Sequence, residues 1–154
     1  MFQSEANEQL VRLLALQEER LGQLYHQYSL RYPNSEFWKK LSVEEEIHKQ
    51  WVMSLAHSSE NIGIKEDTFC APAVQTMLNF IEDTRQKSTS YSLLQALGVS
   101  LNIERALLER KFFEVFETDS PSVKRIFHDL AVATEQHVQR VEDELESVKK
   151  SPNI

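Results

Sequence analysis

From residue 5 to about residue 31, apolar side chains recur at Leu10, Leu14, Leu21, Tyr25 and Tyr28, a stripe interrupted once, near Glu18. Spacings of three, four and seven predict a helix with one inward face. "RYPNSEFW" closes that helix at Pro33 and offers Ser35 as N-cap for a second, from about 36 to 57. Its stripe is Phe37, Leu41, Val52 and Leu55, again open in the middle. A third pattern, about 91–117, aligns Leu93, Leu97, Leu101, Leu108, Phe112 and Val115. "ETDSPSV" then predicts a short turn, with Ser120 as N-cap and Pro121 as first helical residue. The last helix, about 121–149, carries Val123, Phe127, Leu130, Val141, Leu145 and Val148, and "SPNI" reads as a frayed end.

Between the second and third helices, about 34 residues are less regular and contain Gly63 and Pro72. Val74, Met77, Leu78 and Ile81 predict one small helix inside this connection. Short links join antiparallel neighbours, whereas a long one can run the length of a bundle and join parallel helices. The expected fold is all-α: one domain, residues 1–154, a four-helix bundle with one long crossover.

Each gap in a stripe is filled by a polar residue that keeps the helical spacing. These are Glu18 on the first helix, Glu45 and His48 on the second, Glu104 on the third, and Thr134 and His137 on the fourth. Glu18 lies 15 residues before Pro33 and His48 lies 15 after it. Both therefore sit about 22 Å from that turn at 1.5 Å per residue. Glu104 and Thr134 flank Asp119 in the same way. In an antiparallel bundle these groups form one layer. Three carboxylates buried together repel one another and lose hydration unless protons or cations compensate them. A pair of metal ions does so, with carboxylates bridging and imidazoles completing each ion.

Composition narrows the chemistry. Cys70 is the only cysteine, so neither an intrachain disulfide nor a thiolate metal cluster is available. Any metal is held by oxygen and nitrogen, which favours iron or manganese. The net charge of -7 argues against nucleic acid or an anionic membrane surface as partner. No apolar run is long enough to span a bilayer and "MFQSEANEQL" lacks a basic-then-apolar signal, so a soluble, cytoplasmic protein is expected.

The stretches "EERLGQLY", "EEEIHKQW", "SLLQALGVSLNIERALLERKFF" and "LAVATEQHVQRVEDEL" resemble the ferritin-like superfamily, and within it the rubrerythrin family most closely. The resemblance covers nearly all of the chain. It implies a ferritin-like bundle and a di-iron carboxylate site whose ligands match Glu18, Glu45, His48, Glu104 and His137. The pattern departs at Thr134, where the family has a glutamate; Glu135 is one position late, about 100° around the helix. The paired cysteines of a rubredoxin module are also missing. The implied activity is redox chemistry with peroxide or dioxygen, using two irons per chain, with manganese as an alternative. A separate electron donor and a homodimer would be its partners. Two other readings stay open: iron binding or sensing without turnover, and a structural or partner-binding bundle with a vestigial site in which a protonated glutamate bonds Thr134.

The remaining chemistry-bearing residues have ordinary roles in view. Glu44 and Glu46 flank the stripe and are expected to be solvated, paired with Lys40 or Lys49. His26, His57 and His128 read as surface or capping residues. Trp38 and Trp51 read as core or interface aromatics, and Cys70 as an ordinary thiol. Tyr25 and Tyr28 read as packing residues, although a tyrosine beside a metal could relay electrons.

Overall fold

The computed structural model describes residues 5–57, 62–64, 70–110 and 116–151. Its helices are α1 (Glu5–Arg31), α2 (Ser35–Ser54), α3 (Cys70–Lys87), α4 (Leu93–Arg110) and α5 (Pro121–Lys149). Two single 3₁₀ turns follow α2 and α3, at Leu55–His57 and Ser88–Ser90. Apart from one two-residue antiparallel pair, β1 (Gly63–Ile64) with β2 (Phe116–Glu117), the described chain is a helical bundle. The chief packings are α1 on α2, α4 on α5 and α1 on α3. Among the described residues no helix is long and apolar enough to cross a membrane.

The apolar stripes account for these contacts. Leu10, Leu14, Leu21, Tyr25 and Tyr28 are buried along α1, and Trp38, Leu41, Val52 and Leu55 meet them from α2 and its 3₁₀ turn. Gly22 lets the two helices close up at mid-height: a Cβ there would lie 3.3 Å from the Cβ of Glu45 and 3.4 Å from the Ser42 carbonyl. The Ser42 hydroxyl donates to the Gly22 carbonyl at 2.8 Å, fixing that approach.

Four local expectations are corrected. Ser35 is the first helical residue of α2, and Asn34 occupies the cap position in the left-handed region at φ 58° without a side-chain cap bond. Asparagine tolerates this conformation, and its amide is drawn away to Glu144 on α5, at 2.9 Å. The second helix stops at Ser54 rather than 57, tightening into the 3₁₀ turn. The small helix of the connection is instead 18 residues long, burying Val74, Met77, Leu78 and Ile81. Finally, the pattern drawn to 117 includes Phe116–Glu117, which is strand: Phe116 pairs with Ile64, and its ring stacks on Phe127 at 5.0 Å. Phe112 and Val115 lie outside the described residues.

Ser120 caps α5 as its sequence predicts, its hydroxyl accepting from the Val123 amide at 3.3 Å, with Pro121 opening the helix.

Candidate metal centre

At mid-height the polar residues of four helices converge. Glu18 from α1, Glu45 and His48 from α2, Glu104 from α4 and His137 from α5 are all buried, none more than 5% exposed. Glu45 lies at the centre. Its Oε2 is 3.0 Å from Nδ1 of His48, and its Oε1 is 2.9 Å from Nδ1 of His137. One carboxylate thus faces two imidazoles whose ring centres are 5.1 Å apart. Glu104 Oε1 lies 3.4 Å from the same His137 nitrogen and accepts the Tyr25 hydroxyl at 2.5 Å.

The tightest group is Glu45, His48 and His137, which offer ligand atoms all within 4.8 Å of one another. Two ligands held about 2.1 Å from one ion at right angles stand about 3.0 Å apart, close to the Glu45–imidazole spacings. Glu45 Oε1 and His137 Nδ1 are both buried and neither makes a hydrogen bond, although they are 2.9 Å apart. Buried polar atoms are rarely left so. Convergence without hydrogen-bond geometry is how ligands of a common ion are disposed, and the donor set, carboxylate oxygen with imidazole nitrogen, suits iron, manganese or zinc.

Without a metal, protons must balance this charge. Burial, and then the charge of Glu45, pushes Glu18 well above the carboxylate range. Burial also raises Glu45, with Glu104 adding to the shift. Burial lowers His48, since no charge around it outweighs desolvation. It would lower His137 too, but Glu45, Glu104 and Glu44 overcome it and raise that imidazole to about 12. Metal would replace these protons, so binding is coupled to their release.

Two residues sit differently from their expected places. Thr134 is buried, but its hydroxyl donates to the Leu130 carbonyl at 2.9 Å, one turn back on its own helix. Glu135 is exposed. Glu44 is not simply solvated. Its Oε2 accepts from Nε2 of His137 at 3.0 Å and from the Arg140 guanidinium, across the α2–α5 seam. Burial would raise its pKa, but these donors hold it at about 2. Arg140 lies three residues after His137, on the same face of α5. That spacing is the one sequence signal that an acidic partner stood opposite.

A carboxylate on the far nitrogen of a ligating histidine fixes its ring and tautomer. Replacing Glu44 by Gln is therefore expected to weaken metal binding about 10- to 100-fold while leaving the helical signal unchanged, as read by competition with a chelator of known affinity. Unchanged affinity would mean the ring is held by packing alone.

The surrounding residues follow. Glu46 is exposed and pairs with Lys49, which also reaches Glu19 at 2.9 Å. His26 and His128 are exposed; the side chains of His57 and Cys70 lie outside the described residues. Trp38 is buried, and the half-buried Trp51 lies 5.2 Å from the His48 ring. A small cavity of about 10 Å³ abuts Glu18, its other walls being Leu14, Val52, Leu55, Phe116, Phe127 and Leu130.

Compared with protein-family models, with curated proteins and with solved structures, the chain gives no match in any of the three.

Proposed function

We propose that this chain is a rubrerythrin-like, one-crossover ferritin-type bundle holding a dinuclear metal site, with iron the favoured metal and peroxide or dioxygen the oxidant. The observation that carries this reading is Glu45, with one carboxylate oxygen against Nδ1 of His48 and the other against Nδ1 of His137. Bound there, two ions would take Glu45 in common and one imidazole each. Glu18 and Glu104 would supply the flanking carboxylates. Two iron ions bound there would supply one-electron chemistry and open coordination positions.

The chain's own contribution is positional and electrostatic. Glu44 and Arg140 orient His137, Tyr25 holds Glu104, and the apolar walls around Glu18 keep bulk water from that side. The apolar cavity beside Glu18, about 10 Å³, is at the lower limit for one water, so peroxide or dioxygen would enter only as its leucine, valine and phenylalanine walls move. Turnover would require a separate electron donor, and pairing of two chains is part of the same reading.

The test is anaerobic titration with ferrous iron, followed by rapid mixing with peroxide or dissolved dioxygen. The reading predicts oxidation faster than that of free ferrous ion, accompanied by ferric carboxylate absorption. Iron bound but oxidised no faster than in buffer would leave iron binding without turnover. The second reading is a vestigial site, because threonine stands at 134 where the family has a ligand, although the Thr134 hydroxyl bonds the Leu130 carbonyl and not the protonated glutamate that this reading expected. In that case neither binding nor acceleration would be seen.

A further inference from the structure

Tyr25 is the first member of a chain of redox-active rings that leads away from the site. Its hydroxyl donates to Glu104, and its ring centre is 5.8 Å from that of Trp38. Trp38 in turn lies 4.8 Å from Tyr28 and 6.3 Å from Tyr32. Tyr25, Tyr28 and Trp38 are at most 1% exposed, whereas Tyr32 is only half-buried, at the turn between α1 and α2. Electron tunnelling falls off exponentially with distance, so steps between rings in contact are fast compared with one long jump.

Proton accounting separates the two possible exits from Trp38. A tyrosine gives up an electron readily only when its proton has somewhere to go. Tyr25 has a carboxylate oxygen at 2.5 Å. Tyr32 donates to the Tyr91 carbonyl at 2.6 Å and reaches solvent. The Tyr28 hydroxyl is buried with no hydrogen-bond partner, so its oxidation would strand a proton in an apolar core. Tryptophan can pass an electron without first losing its proton.

We propose that Tyr25, Trp38 and Tyr32 form an electron relay between the buried carboxylate–imidazole cluster and the surface, with Tyr28 as packing only. With an oxidised metal bound in the cluster, Tyr25 would supply one electron to it and pass its proton to the Glu104 carboxylate. The Tyr25 radical recovers both when Trp38 supplies the electron. Trp38 would be refilled from Tyr32, whose proton leaves to water, and a diffusible one-electron reductant together with a proton taken back from water would restore Tyr32. This use of the relay rests on the redox reading above; the connection between the rings does not.

The test is therefore made on metal-free protein. Trp51→Phe leaves Trp38 as the only tryptophan of two. Laser photoionisation then creates an indolyl radical at a known buried position, and its conversion to tyrosyl radical is followed by transient absorption. The relay predicts conversion in this background and in the further variant Tyr28→Phe, and its loss when Tyr25 and Tyr32 are both changed to Phe. Loss in Tyr28→Phe, or full conversion in the double tyrosine variant, would overturn the assignment. So would the absence of conversion in the Trp51→Phe parent. None of these outcomes depends on whether the protein binds metal.

Discussion

Replacing Glu45 and His48 together with alanine is expected to abolish metal binding and leave the bundle folded. Glu45 lies against both imidazoles, so on the proposed reading its loss removes a ligand shared by two ions, and the loss of His48 removes another. The affinity should fall by far more than the ~10–100-fold that an outer hydrogen-bonding partner is worth. Survival of the fold follows from the metal-free charge balance. Truncating buried side chains costs about 2–5 kcal/mol when they are apolar. Here it also removes a buried carboxylate whose burial and proximity to Glu104 oppose its ionisation, and that relief offsets part of the cost. His137 keeps Glu44 and Glu104 as partners. Circular dichroism with urea unfolding reads the fold, and elemental analysis reads the metal. Because alanine leaves a void, Glu45→Gln serves as the volume-conserving companion and should also lose metal. Full metal occupancy in either variant would contradict the placement of Glu45 at the centre.

The second large effect is on pH. In metal-free protein His137 is held at about 12, far above the ordinary 6.5. Above about pH 6.5 the folded chain therefore keeps a proton that the unfolded chain has released, and stability falls as pH rises. Glu18 and Glu45, also raised, act in the same direction from the ordinary carboxylate range upward. Glu44, held at about 2, and His48, lowered by burial, act oppositely: their contributions are lost as pH falls, below about 4.5 and about 6.5 respectively. Each extra proton held by the folded state changes stability by on the order of 1 kcal/mol per pH unit. Between about pH 7 and about pH 9 the metal-free protein should lose roughly 2–3 kcal/mol from His137 alone. Urea unfolding with a chelator present measures this, and His137→Gln should flatten the profile. Metal affinity should rise over the same interval, since the ions displace those protons. A metal-free stability that is flat or rising with pH would mean the cluster is not balanced by protons as described.

Much of this was legible in the sequence because two periodicities agreed. The stripes fixed which face of each helix turns inward, and the polar interruptions at Glu18, Glu45, His48, Glu104 and His137 lay on those same faces, so burial brought them together. What was not legible depended on neighbours that no local pattern reveals. Glu44 sits one residue off the inward stripe and owes its place to His137 and Arg140 on another helix. The segment around Phe116, "FFEVFE", is rich in phenylalanine and valine with glutamates three residues apart, which reads as a helix end; β-forming side chains and pairing with Gly63–Ile64 made Phe116–Glu117 a strand instead. Asn34 took the cap position because asparagine tolerates the left-handed backbone adopted there, a conformation that the N-cap preference of Ser35 does not reveal. Thr134 kept the helical spacing of a ligand, yet a hydroxyl can satisfy itself on the carbonyl one turn back.

Metal content per chain tests the central claim most directly. The protein would be expressed in iron-supplemented medium, purified without chelator or affinity tag, and also reconstituted anaerobically with ferrous iron before elemental analysis. The account predicts close to two irons per chain. One per chain would retain a metal site but contradict the sharing of Glu45 between two ions. A content near zero, with failed reconstitution, would contradict the metal reading and leave a bundle whose buried glutamates and histidines are balanced by protons alone.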